Sequence, residues 1–279
     1  MSWNLVQATS STTDALEWPS ELELASPECH VWFVFLHCVR DAALLDRYRG
    51  LLTAEERAGE FRFRFPEDRH RYIVTRALVR TVLSLYAPIS PAEWSFRANA
   101  YGRPEIANDA MPGVGLSFNV SHTRGVVMMG VSRHCAIGVD TENVRRSPAS
   151  MEMAQHFCSR HEMAELRSEL DDDRRAERLL DIWTLKEAYV KARGVGLSMP
   201  LDQISFSLPG RRGIEIAFDG GVQDQRDNWD FWMLRPSVDH KSAVCVGRSG
   251  GKAFAPAVHS AIPLVMHQVM TSPVTRQSE

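Results

Sequence analysis

The stretch Ile137-Gly138-Val139-Asp140-Thr141-Glu142-Asn143, residues 137–143, begins as a buried strand begins and ends with two carboxylates two residues apart. Successive side chains of a strand point to opposite faces. Asp140 and Glu142 therefore share one face, and Val139 and Thr141 share the other. Two neighbouring acids repel each other unless something neutralises them. A hard divalent cation such as Mg2+ does this through oxygen ligands, and a solvated strand end does it with water. The heptapeptide leaves both readings open.

The residues on either side enlarge the question. Just upstream, "GLSFNVSH" (115–122) alternates, with Leu116, Phe118 and Val120 on one face and Ser117, Asn119 and Ser121 on the other. A Thr-Arg-Gly turn leads into the apolar "VVMMGVS" (126–132), so the pair reads as a β-hairpin. Ser121 and His122 close its first strand beside a turn with free backbone N–H groups. That arrangement suits phosphate, and it equally suits a histidine that only closes a turn. No GxSxG elbow is present and no acid is placed to orient the histidine, so a serine hydrolase is not indicated. Downstream, "DIWTLKEAYVKARG" (181–194) reads as helix. Trp183, Glu187 and Val190 at i, i+4 and i+7 put Glu187 beside the core-facing stripe, with Lys186 next to it and Lys191 one turn beyond. An exposed Glu187–Lys191 pair is the plain reading. A third acid between two lysines would also complete a metal site and reach phosphate oxygens.

The rest of the chain falls into two similar halves. "HVWFVFLHCV" (30–39) reads as a buried strand, and Thr53 with Glu56 forms a capping box that starts a helix near 54. A longer helix runs from Asp68 to Tyr86 after the break at Pro66, "YGRPEI" (101–106) is a turn, and the hairpin follows. In the second half, Ser159 with Glu162 is another capping box, and Asp171-Asp172-Asp173 reads as a solvated loop. A helix then runs from about Arg174 to Arg193, stopped by Gly194 and Gly196. Four strand-like segments close the half: "ISFSL", "GIEIAFD", "WDFWML" and "SAVCVG". This order of elements, met twice, predicts an α+β fold of two similar lobes. Each lobe is expected to be a small antiparallel sheet packed with helices, spanning 29–134 and 135–249. Residues 1–28 read as an irregular arm, and 250–279 as a tail that is a terminal helix or a disordered end.

With 279 residues the chain has ample length for a core, and its net charge of -3 gives no general attraction to nucleic acid or anionic membrane. Locally, seven arginines between 57 and 80 face only Glu60, Glu67 and Asp68, an excess that suits an anion. Five cysteines without metal-ligand spacing read as reduced thiols. With no signal peptide and no apolar run long enough to span a bilayer, the expected location is the cytoplasm.

Taken in order, "YGRP" (101–104), "FNVSHT" (118–123), "IGVDTE" (137–142) and "WTLKEAYVKARGVGL" (183–197) resemble the 4'-phosphopantetheinyl transferases of the surfactin-synthetase-activating type. "LTAEER" (52–57) and "FRFPEDRHRYIVTRALVR" (63–80) match more loosely, and the resemblance covers roughly residues 30–247. It implies a pseudo-dimer with coenzyme A bound between the lobes. It further implies Mg2+-dependent transfer of 4'-phosphopantetheine to a serine of an apo acyl or peptidyl carrier protein, with release of adenosine 3',5'-bisphosphate. Such holo-[acyl-carrier-protein] synthases activate fatty acid, polyketide or nonribosomal peptide synthesis, siderophores included, and the large type is typically a monomer. Carried onto this sequence, the resemblance gives Asp140, Glu142 and Glu187 as metal ligands. Glu187, Lys186 and Lys191 become the catalytic set, with both lysines on phosphate. Ser121, His122, Thr123 and Arg71 would bind phosphate, the 3'-phosphate in the case of His122 and Arg71. Arg103 would lie by the adenosine. Where some relatives carry lysines on the helix after "LTAEER", this chain has Arg57 and Arg62.

Two rival readings compete with this one. A Mg2+-dependent nuclease fits the acids, but its Glu-x-Lys would sit on a strand, and a basic stripe interleaved with aromatics is missing. A non-catalytic module binding an acidic carrier helix through the arginines leaves three co-oriented acids unexplained.

Overall fold

The structure, a computed structural model, describes residues 16–25, 28–108, 115–145, 150–248, 255–270 and 274–278. In the first lobe the elements are β1 (Leu16–Glu17), β2 (Cys29–Phe35), α1 (Ala42–Leu51), α2 (Ala54–Glu60), α3 (Pro66–Leu83), β3 (Phe96–Ala98), β4 (Pro104–Ile106), β5 (Leu116–Thr123) and β6 (Val126–Arg133). The second lobe runs through β7 (Ile137–Asn143), α4 (Met151–Phe157), α5 (Arg160–Ser168), α6 (Asp172–Arg193), β8 (Ile204–Ser207), β9 (Gly213–Phe218), β10 (Trp229–Ser237) and β11 (His240–Gly247). Three more strands follow: β12 (Ala257–Ile262), β13 (Met266–Val269) and β14 (Val274–Ser278).

Local chemistry sets the helix starts. Thr53/Glu56 and Ser159/Glu162 both form reciprocal capping boxes, as the sequence predicts. Pro66 does not break a helix; it occupies the first helical position of α3, where its missing N–H costs nothing. The triple aspartate is not a loop either. Asp171 caps α6 by accepting the Arg174 N–H at 2.9 Å, and Asp172 and Asp173 fill the first turn, where the helix dipole favours negative charge. Gly194, at φ 67°, ends the helix in the left-handed conformation.

The duplication is visible in the strand pairing. In the first lobe the strand that precedes the helices, β2, pairs with β6, which pairs with β5; in the second, β7 pairs with β11, which pairs with β10, all antiparallel. The expectation of two similar α+β lobes thus matches the topology. The sheets are not purely antiparallel, however. β12 lies parallel to β2 and β14 parallel to β9, so the order is β1-β13-β12-β2-β6-β5 in one six-stranded sheet and β7-β11-β10-β14-β9-β8 in the other. Where it is described, the tail is therefore strand and not helix. Val258, His259 and Ala261 of "AVHSAI" and His267 of "MHQV" are buried, and an open sheet edge offers unpaired backbone groups to such a strand.

Three apolar cores follow. One lies between the first sheet and α1–α3, and another between the second sheet and α4–α6. The third joins the sheets to each other through Val31, Phe33, Met128, Ile137, Val139, Trp232 and Val244. Gly138 shows how closely α6 lies on β7. A Cβ there would sit 2.0 Å from the Ala188 carbonyl oxygen and 2.2 Å from the Ala192 nitrogen, both rigid helix backbone. Gly138→Ala should force helix and strand apart and cost about 3 kcal/mol in a urea unfolding experiment. A loss below about 1 kcal/mol would contradict the close approach.

Candidate active site

Strand β7 has β11 on one side only. Its other edge faces β5 of the first lobe, and side chains take the place of strand pairing there. Asn119 Oδ1 accepts the Val139 N–H at 2.9 Å, and Ser121 Oγ accepts the Thr141 N–H at 3.3 Å. The same alternation that turns Val139 into the inter-sheet core turns Asp140 and Glu142 toward α6. There they line a pocket of ≈ 270 Å³ with Ser121, His122, Trp183, Glu187 and Lys191. Residues from β5, β7 and α6 thus meet at the lobe boundary.

Hydrogen bonds fix the centre of this pocket. Lys191 Nζ donates to Asp140 Oδ1 at 2.6 Å and to Ser121 Oγ at 3.0 Å, and Ser121 Oγ also donates to Asp140 Oδ1 at 2.9 Å. Asp140 Oδ2 is buried without any partner, a costly state for a carboxylate oxygen. Trp183 Nε1 donates to Glu142 Oε1 at 3.0 Å. Burial, with Asp140 nearby, pushes the Glu142 carboxyl up to about 7. Burial and the Asp140 charge raise Glu187 as well, against the pull of Lys191. His122 sits at the rim, where the surrounding protein and the Arg71 charge hold its ring below the usual histidine range. In this arrangement the three acids share a pocket and one another's charge without being drawn together around a single point. Among the described residues no ready-made cluster of three metal-ligating side chains exists. An orphaned oxygen on Asp140 and two carboxyls that resist ionising nevertheless form a donor set suited to a hard cation.

Two family models match the chain, the 4'-phosphopantetheinyl transferase superfamily over residues 136–245 and a 4'-phosphopantetheinyl transferase N-terminal model over 43–134. The 4'-phosphopantetheinyl transferase HetI of Nostoc sp. is 33% identical, with the alignment covering 68% of this chain and 78% of the relative. The chain belongs to the 4'-phosphopantetheinyl transferase family. Two Bacillus subtilis transferases agree, ffp at 35% and Sfp at 32% identity, each alignment covering 61% of this chain and 74% of the relative. This transferase is also without a helix long and apolar enough to cross a membrane among its described residues.

Not every residue that the sequence nominates lies in the transferase's pocket. Lys186 is fully buried on the opposite side of α6. It forms an ion pair with Glu162 at 2.6 Å and donates to the carbonyls of Phe157, Leu201 and Ile204. Its ammonium is saturated by the second lobe's interior, so it contacts no phosphate in this arrangement. Most of the arginine excess is also committed within the fold. Arg80 is buried, paired with Glu56 at 2.7 Å and bonded to the Pro91 and Trp94 carbonyls. Arg57 donates to the Leu52 carbonyl at 2.5 Å and does not line the pocket. Arg71 is placed differently. It pairs with Asp68 and lines a cleft of ≈ 870 Å³ with Arg40 and Arg124, on the His122 side of the seam. Arg40 and Arg124 are additions that no motif singles out; only the fold brings them beside Arg71. Thr123 ends β5 half-buried and does not line the acidic pocket.

The raised Glu142 carboxyl has a measurable consequence. Below pH 4.5 both folded and unfolded chains carry its proton. Between 4.5 and about 7 only the folded chain keeps it, so ionisation favours unfolding and stability falls as pH rises through that window. Glu142→Gln keeps an oxygen for Trp183 and removes the charge. In metal-free protein it should raise stability at pH 8 by about 1 kcal/mol after solvent screening of a half-buried group, seen as a higher thermal midpoint, and leave the midpoint unchanged at pH 4. Equal midpoints at pH 8 would show that Glu142 is not an uncompensated charge.

Proposed function

We propose that the protein transfers 4'-phosphopantetheine from coenzyme A to the serine hydroxyl of an apo acyl or peptidyl carrier protein and releases adenosine 3',5'-bisphosphate. The observation that carries this reading is the acidic pocket at the lobe boundary, with Asp140 Oδ2 unpartnered and Lys191 beside it, in a chain of this family. Asp140, Glu142 and Glu187 are the residues to hold Mg2+. When bound, the ion offsets the negative charge of the pyrophosphate.

The chain's own residues supply the rest. Lys191 is the only one of the two nominated lysines with an open face toward the pocket, and its ammonium steadies the phosphate oxygens that gain charge. Glu187, with its carboxyl raised, is poised to take the proton from the carrier serine as the serine oxygen attacks phosphorus. A new serine O–P bond forms while the pyrophosphate P–O bond breaks. Its electron pair leaves on adenosine 3',5'-bisphosphate. His122 and Arg71 hold the 3'-phosphate, and Ser121, bonded to Lys191, contributes a hydroxyl to the phosphate contacts. Lys186 has no part in these steps. The carrier belongs to fatty acid, polyketide or nonribosomal peptide synthesis, siderophore assembly included, and a single chain acts on it in the cytoplasm. All five cysteines being free thiols agrees with a reducing compartment.

Purified protein given coenzyme A, Mg2+ and an apo carrier should increase the carrier's mass by one 4'-phosphopantetheine group. Carriers from primary and secondary metabolism should both be tried, and no shift on any of them would sink the reading. Coenzyme A binding without transfer would favour a non-catalytic carrier-binding module. Asp140→Asn keeps the shape of the side chain and should lower transfer at least ~100-fold without altering the circular dichroism spectrum. Retained activity would refute the assignment of Asp140 to the cation.

A further inference from the structure

Arg103 belongs to the "YGRP" turn, which the family resemblance places by the adenosine, yet its guanidinium is already occupied. Nη1 donates to the carbonyls of Lys191 at 2.5 Å and Ala192 at 3.1 Å. Nη2 donates to the Phe118 carbonyl of β5 at 3.2 Å and the Ile137 carbonyl of β7 at 3.0 Å. These four bonds use every hydrogen on the two terminal nitrogens. Asn99, at the other end of the same turn, donates its amide to the Gly194 carbonyl at 3.1 Å. Its oxygen accepts the Tyr101 and Arg103 N–H groups at 2.9 and 3.0 Å, which locks the turn. The last carbonyls of an α-helix have no partner inside the helix, and a cation is favoured at that end. The hairpin β3–β4 of the first lobe therefore caps the C-terminus of α6 in the second, and the same guanidinium bonds the facing edges of β5 and β7.

We propose that the Arg103 guanidinium is a positioning group for phosphopantetheine transfer and not a phosphate contact. It fixes the last turn of α6 against the β5–β7 seam and so sets Lys191, whose own carbonyl it holds, relative to Asp140 and Ser121. Glu187, one turn earlier on the same helix, is held with it. Burial keeps the guanidinium from being a free anion receptor: reaching a phosphate would require giving up carbonyls that no other described group satisfies in its place. The inference rests on the transferase reading above.

The discriminating variant is Arg103→Lys. A lysine keeps the positive charge, and so most of any attraction to phosphate, but its single ammonium does not span four carbonyls on three elements. The full chain should be assayed with Mg2+, coenzyme A and an apo carrier that the wild type modifies, and coenzyme A binding measured directly by calorimetry. A positioning role lowers kcat by ~10- to ~100-fold and moves the KM and Kd for coenzyme A by less than about threefold. Weakened coenzyme A binding with kcat retained would overturn the proposal and make Arg103 a ligand contact; an unchanged kcat would overturn it as well. Should Arg103→Lys fail to fold, Asn99→Ala, which removes the Gly194 clamp and the lock on the turn but leaves the guanidinium, carries the test. It should lower kcat by a smaller factor at unchanged coenzyme A affinity, and an unchanged kcat there is again contrary. Failure of the transferase reading looks different, because then the wild type itself modifies no carrier.

Discussion

Strand β7 is the element on which the rest depends, because the edge it turns to β5 is not paired to it through backbone hydrogen bonds. Sheet edges expose backbone groups that must find partners. Here they find them in side chains of the other lobe, Asn119, Ser121 and Arg103. Had β5 paired with β7 through backbone bonds, the two sheets would have fused into one, with no gap to hold a substrate. Bridging the edges with side chains keeps them close enough to share residues and far enough apart to leave a pocket. Apolar packing between the sheets, from Phe33 and Val31 on one side to Val139 and Val244 on the other, supplies the cohesion that so few hydrogen bonds do not.

The consequences are clearest on α6. Lys186 and Lys191 are five residues apart, hence ~140° apart around a helix. One faces the second lobe's interior and neutralises Glu162. The other faces the seam and bonds Asp140. The same helical geometry that places Trp183, Glu187 and Lys191 along one side thus denies Lys186 any access to it. A motif in which both lysines look equivalent conceals two unrelated surroundings, the interior of the second lobe and the seam.

Much of this was legible in the residues. Strand alternation put Asp140 and Glu142 on one face, and the helical spacing of Trp183, Glu187 and Val190 put the third acid beside the core-facing stripe of its helix. Capping boxes located two helix starts, because their partners lie three residues apart in sequence. Asp41 and Ser150 cap α1 and α4 alone, without a glutamate three residues on, and those helices went unread. The fate of the arginines was not legible. Whether Arg80 meets an anion or Glu56 depends on how α2 and α3 close on each other, bringing together residues 24 apart in sequence, and local pattern does not carry that. The bonds of Arg103 were not legible for a related reason. Its four acceptors are backbone carbonyls, which every residue owns and no sequence marks.

The strands that follow β11 bear on how the molecule is made. Until residues 257–269 arrive, β2 has an open edge, and until 274–278 arrive β10 has no link to the β8–β9 hairpin. A chain still being synthesised can complete its helices and its two central hairpins, but neither sheet. Closure of the first waits on the pairing of β2 with β12, segments more than 200 residues apart, and closure of the second on the pairing of β14 with β9 and β10. Long-range pairing of this kind is slow and leaves strand edges exposed in the meantime. The strands after β11 are therefore the timing element of folding, and the edges they cover are most open to aggregation until those strands are made.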